Sequence, residues 1–178
     1  MFKKILIGLA VILVVLVIVI SMQPSDFRIS RSAAIAAPPA TVFAQVNELR
    51  NWEAWSPWAK MDPGMKQTYE GPPAGTGAIS KWSGDKVGEG KMTITESKPD
   101  ELVRIKLEFI TPMAATNDVQ FDFKPQGNET LVTWTMSGKN NFVHKAFGLF
   151  MDMEKMLGGQ FEQGLSQLNT AASQKAAP

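Results

Sequence analysis

The sequence contains no cysteine, one histidine and one tyrosine among its 178 residues. Without cysteine there is no disulfide, no zinc–thiolate centre, no cysteine nucleophile and no lipoprotein anchor. Missing disulfides alone leave the cellular compartment open. A single imidazole, His144, excludes any site that needs two. Neither sign of charge is in excess: 18 Lys and Arg stand against 17 Asp and Glu, a net charge of +1. Nucleic-acid binders normally carry a basic face, so no nucleic-acid partner is expected.

Recognisable chemistry is equally scarce. The segment Gly84-Asp-Lys-Val-Gly-Glu-Gly-Lys91 superficially resembles a phosphate loop, but its glycines are misplaced and Met92 stands where Ser or Thr would ligate magnesium. A strand-like segment follows it, so no helix N-terminus would face a phosphate. Asp152 lies eight residues beyond His144, too far along a helix to orient it. No Ser-His-Asp set or paired-carboxylate arrangement occurs at diagnostic spacing. No catalytic residue, metal or cofactor is expected.

What the chain has in quantity is apolar surface. After Met1-Phe-Lys-Lys an uncharged run extends from Ile5 to Ile20. Its sixteen residues span roughly 24 Å as a helix, close to a bilayer core, and Ser21 and Met22 extend it. A cleaved signal usually has a shorter core and a small-residue exit; here the exit reads Val-Ile-Ser-Met-Gln-Pro. Residues 1–22 therefore read as an uncleaved transmembrane anchor and 23–26 as a linker. Lys3 and Lys4 favour a cytoplasmic N-terminus, with the remainder on the periplasmic or extracellular side.

Residues 27–170 read as one α+β domain. Phe27 to Ala36 gives a first strand in which Arg31 interrupts the apolar parity. Pro38 and Pro39 open a short helix over Thr41 to Leu49. In Asn51-Trp-Glu-Ala-Trp-Ser-Pro-Trp58, Trp52 and Trp55 share a helical face, forming a plug for the core, a pocket wall, or both. Alternation then predicts antiparallel strands. It is clearest in Val103, Ile105, Leu107 and Phe109 against Arg104, Lys106 and Glu108, and it recurs around Phe121 and Trp134. From Asn141 to Leu168 a stripe of Phe142, Ala146, Leu149, Met153, Leu157, Phe161, Leu165 and Leu168 predicts one long helix on the sheet. Gly158-Gly159 inside it implies a kink or a close backbone approach. Residues 171–178 lack apolar periodicity and read as a disordered tail.

The segments Ile35-Ala-Ala-Pro-Pro-Ala-Thr-Val-Phe43, Asn51–Trp58, Tyr69-Glu-Gly-Pro-Pro-Ala-Gly-Thr-Gly-Ala78 and Thr130-Leu-Val-Thr-Trp-Thr-Met136, followed by the terminal helix, carry a resemblance. The chain is similar over about Phe27 to Leu168 to the START/Bet v 1-like (SRPBCC) superfamily, most nearly its polyketide cyclase/dehydrase-like branch. The resemblance implies a helix-grip fold, a curved antiparallel sheet around a long C-terminal helix with two short helices after the first strand. It also implies a hydrophobic cavity between sheet and helix, binding lipids, sterols or polyketides. The superfamily shares no single catalytic set. The expected cavity walls are Trp55, Trp58, Tyr69, Trp82, Phe109, Phe121, Trp134, Phe147 and Met151.

Three functions fit this reading. One is a membrane-anchored binding domain for an apolar small molecule or lipid. A second is a cyclase or dehydratase, for which Tyr69 and His144 are the candidates. The third is an interaction domain docked on a membrane protein, its interior filled by its own side chains.

Overall fold

The computed structural model describes residues 2–176. The apolar run forms helix α1, Phe2–Met22, in which only Ile20 is buried. Mean hydropathy reaches 3.4 over eighteen residues, so by length and composition α1 can cross a membrane.

Seven strands form one antiparallel sheet: β1 (Asp26–Ile35), β2 (Lys66–Glu70), β3 (Ile79–Gly84), β4 (Gly88–Lys98), β5 (Leu102–Thr111), β6 (Ala115–Gln126) and β7 (Glu129–Lys139). Their spatial order is β1-β7-β6-β5-β4-β3-β2. The first two strands therefore form opposite edges, and the chain between them crosses the inner face. It does so through α2 (Pro39–Asn47), a 3-10 turn at Leu49–Asn51, α3 (Trp52–Trp55) and α4 (Pro57–Met61). Pro39 starts α2 and Pro57 starts α4, where the missing proline N–H costs nothing.

The alternation in β5 sends Val103 and Ile105 into the core and Arg104 and Lys106 to solvent. Ile29, Ile35, Phe121, Phe123, Val132 and Trp134 complete the inner face. Helix α6 covers it, packing on β1, α2 and α3.

The structure divides the expected long helix into α5 (Phe142–Gly148) and α6 (Met153–Ala176). Each has its own cap: Asn141 Oδ1 accepts from the His144 N–H and Asp152 Oδ1 from the Lys155 N–H, both at 2.9 Å. These side-chain bonds satisfy helix-start N–H groups, so Asp152 begins a helix instead of continuing one. The C-terminus also differs from expectation. Helix α6 continues through residues 171–176, with Ala172 fully buried and Ser173 Oγ donating to Ala36 O at 3.4 Å. Residues 177–178 of the expected tail lie outside the described residues.

Arg31 accounts for the first glycine of the pair, Gly158. Its side chain projects to the inner face beneath α6 and forms ion pairs with Glu154 (2.8 Å) and Glu162 (2.7 Å). Gly158 lies midway between those glutamates in sequence, and a Cβ there would overlap the guanidinium. The two carboxylates raise the Arg31 pKa still further, principally through the Glu154 hydrogen bond. Close approach, not a kink, therefore explains Gly158, and α6 is one helix.

Strand register puts several chain segments at one end of the sheet. Asp26 pairs with Lys139, Asn117 with Gly138, Phe109 with Ala115 and with Gly90, and Trp82 with both Gly90 and Gln67. The exit of α1, the start of α5, the β5–β6 connection and the β3–β4 hairpin consequently share that end. The β6–β7 turn at Gln126–Glu129 lies at the other.

Candidate functional site

The nine expected cavity residues separate into four places. Trp55, Phe121 and Trp134 lie at the centre, exposed by 2% or less. They face Trp52 and Phe161, not an open space. Trp134 stacks on Phe161 with ring centroids 4.3 Å apart and planes at 5°; Phe121 and Trp134 lie 4.8 Å apart, and Trp52 and Trp55 4.5 Å apart. Trp52 and Trp55 are fixed by indole N–H bonds to Val46 O (2.9 Å) and Gln45 O (3.1 Å). Backbone acceptors at the end of α2 thus orient both rings, and the rings fill the space between sheet and α6. Gly164 permits this closeness, because a side chain there would meet Trp134. Trp58 borders the cluster, edge-on to Trp134 at 5.7 Å and to Phe161 at 6.4 Å.

Trp82 and Phe109 form the second place. Both are half-buried and meet edge to face at 5.9 Å. Gly90 between them has no side chain to obstruct the Trp82 ring. They help line an open cavity of about 880 Å³ with Ile110, Ala114 and Ala115. Lys81, Lys91 and Glu108 give it a polar margin. Lys91 pairs with Glu108 at 3.2 Å, and Lys106 reaches the same carboxylate at 3.0 Å. Hydrogen bonds from Lys106 and Lys91 hold the Glu108 pKa below the usual glutamate range. An apolar floor with a charged margin can take an amphipathic molecule, polar end outward. The aromatic members were visible in the sequence. The margin was missed because Glu108 reads as an ordinary solvent-facing strand residue; its cross-strand pairing with Lys91 was the signal.

Tyr69 stands apart, beside a depression of about 180 Å³ that includes Arg50, Gly71 and Pro72. Its hydroxyl contacts Glu53 Oε1 at 2.7 Å and also Gln67 Oε1. The Arg50 guanidinium lies 4.3 Å from the ring centre. Burial, reinforced by Glu53, pushes the phenol well above its ordinary pKa, with Arg50 opposing. Such a phenol stays protonated at neutral pH and is a poor base.

Phe147 and Met151 form the fourth place. Phe147 is on α5 and Met151 just beyond it, and both are exposed. His144, on the same helix, is half-buried; no hydrogen bond links it to Tyr69 among the described residues.

A single antiparallel sheet gripping a C-terminal helix, with short helices inserted after β1, defines a helix-grip protein of the START/Bet v 1-like superfamily. The chain belongs to the polyketide cyclase / dehydrase and lipid transport family, whose family model matches residues 26–173. No curated protein matches the chain. Solved structures share the fold. Protein MLL2253 from Mesorhizobium loti is 14% identical, with 83% of this chain and 98% of that chain covered and a TM-score of 0.61. TTHA0849 from Thermus thermophilus is 16% identical, with coverage of 85% and 100% and a TM-score of 0.60. CalU16 from Micromonospora echinospora is 13% identical, with coverage of 85% and 87% and a TM-score of 0.54.

Proposed function

We propose that this protein is a membrane-anchored binding domain for a hydrophobic small molecule or lipid. The observation that carries the reading is the open cavity of about 880 Å³ with Trp82 and Phe109 in its lining. At the centre of the domain, by contrast, Trp55, Phe121, Trp134 and Phe161 fill the space between sheet and α6. The cavity's apolar interior and charged margin suit an acyl or polycyclic body with one polar end. The family description includes lipid transport, and α1 supplies a bilayer anchor at the same end of the sheet as the cavity. Lys3 and Lys4 in the first turn of α1, ahead of its apolar run, favour placing the domain on the periplasmic or extracellular side.

Binding is favoured over catalysis by the state of the two candidate residues. Tyr69 is held protonated by burial and by Glu53, away from the Trp82–Phe109 cavity, and His144 is on a different element. The test is uptake of a fluorescent fatty-acyl probe by the domain. Trp82→Ala with Phe109→Ala is expected to abolish uptake while leaving the fold intact by circular dichroism. Undiminished uptake by the folded double variant would overturn the assignment of the cavity.

A further inference from the structure

Helix α5 and the residues after it are less covered than an ordinary domain surface would be. Phe150 is 82% exposed, and Phe142, Phe147 and Met151 are each exposed by nearly half. Exposed apolar residues scattered singly need no explanation, but a contiguous set does. A two-turn helix and the few residues beyond it carry all four. The end of β5 adds Ile110 and the β5–β6 connection adds Met113, 57% and 39% exposed. Strand register sets that connection at the same end of the sheet as α5.

The position of α1 identifies what covers this surface. Its 21 residues span roughly 31 Å, the thickness of a bilayer core, so its last turn reaches the membrane boundary. Helix α5 packs against α1, and Lys145 Nζ donates to Ser21 O at 3.4 Å. Contact with that last turn fixes α5 at interfacial depth. Lys145 meets the span at its end, where a lysine can keep its charge among headgroups. The β5–β6 connection is three strands along from β1, roughly 15 Å at ordinary strand spacing.

We propose that α5 with its following turn, and the end of β5 with the β5–β6 connection, form an apolar rim that inserts into the lipid interface around the exit of α1. Ile110 belongs both to this rim and to the lining of the Trp82–Phe109 cavity. The cavity therefore opens towards the bilayer, and an apolar ligand passes between membrane and domain without crossing bulk water. This inference rests on the anchoring role of α1 given above. A surface for a protein partner would expose the same residues, but continuity with the bilayer-spanning helix favours lipid.

The absence of native cysteine makes the test direct. Full-length Phe150→Cys, Met113→Cys and Glu129→Cys proteins, each labelled with an environment-sensitive fluorophore, are reconstituted into phosphatidylcholine–phosphatidylglycerol vesicles with and without doxyl-labelled lipid. Glu129, at the opposite end of the sheet, is the control. The expected result is co-flotation of all three, with blue-shifted, doxyl-quenched emission at positions 150 and 113 and none at 129. Co-flotation with unquenched probes at both 150 and 113 would overturn the rim while leaving the anchor standing, and would assign the surface to protein contact. A chain that does not co-float would remove the anchor and the rim together.

Discussion

Phe161→Ala separates a packed interior from a ligand-lined one. Phe161 is 1% exposed, stacked face to face on Trp134 and edge-on to Trp58. Its ring is bounded by Trp134 and Trp58, and Trp134 is itself fixed by its strand pairing and by contact with Trp52, Trp55 and Phe121. Such surroundings relax little, so removing the ring loses both its transfer free energy and its contacts, about 3–5 kcal/mol. A domain of this size loses roughly 2–4 °C in Tm per kcal/mol. The expected fall is therefore about 6–20 °C by differential scanning calorimetry of residues 25–178. Phe161→Leu, which refills much of the volume, is expected to recover most of it. A fall under about 3 °C for the alanine variant would refute a solid centre. It would mean that Phe161 already borders open space and that the cavity extends to Trp134.

Three further outcomes follow from particular contacts. Gly158→Ala is expected to destabilise the protein in urea unfolding, because its Cβ would displace the Arg31 guanidinium from between Glu154 and Glu162. In an Arg31→Ala background the same change is expected to stabilise by about 1 kcal/mol, the ordinary helix preference of alanine over glycine, and an unchanged sign would contradict the close-approach account. The only tyrosine, Tyr69, is expected to titrate in ultraviolet difference spectra above the ordinary phenol value of 10.0, and Glu53→Gln is expected to lower it only in part, because burial, the larger cause, remains. Because its folded pKa is raised, its contribution to stability is complete below pH 10 and lost as pH rises through the folded value, so thermal stability is expected to decline in strong alkali and less so in Tyr69→Phe. Glu108 has the opposite sign: its folded pKa is lowered by Lys106 and Lys91, so its contribution is present above the usual glutamate range and lost as pH falls through the lowered value. Glu108→Gln is accordingly expected to lower Tm at neutral pH and to leave it unchanged in strong acid.

Much of the fold could be read from periodicity, because one covered sheet face imposes strict alternation. Val103 and Ile105 in β5 and Phe161, Leu165 and Leu168 in α6 follow from that rule. The helix boundary at Asp152 could not be read in the same way. Apolar residues continue through it at helical spacing, and nothing in their pattern separates those facing the core from those facing outward. Phe147 and Phe161 have the same chemistry, yet one is exposed and one is buried, because only the second lies opposite the sheet. The same limit applies to the cavity. Aromatic content gives the material of a wall, whereas the presence of space depends on which rings meet. Trp55, Phe121 and Trp134 meet one another, while Trp82 and Phe109 meet across a glycine at the open end. Arg31 stood out as a break in strand parity, and its explanation required the Glu154, Gly158, Glu162 spacing of a helix almost the whole chain away.

The most direct test of the binding role is native mass spectrometry of the domain from Ser25 onward, expressed in cells and purified without detergent. A copurifying apolar adduct of defined mass is expected in the wild-type domain and is expected to be absent from the Trp82→Ala, Phe109→Ala double variant. An adduct retained in full by that folded double variant, or a wild-type domain that stays at its polypeptide mass even after incubation with total membrane lipid, would contradict that expectation.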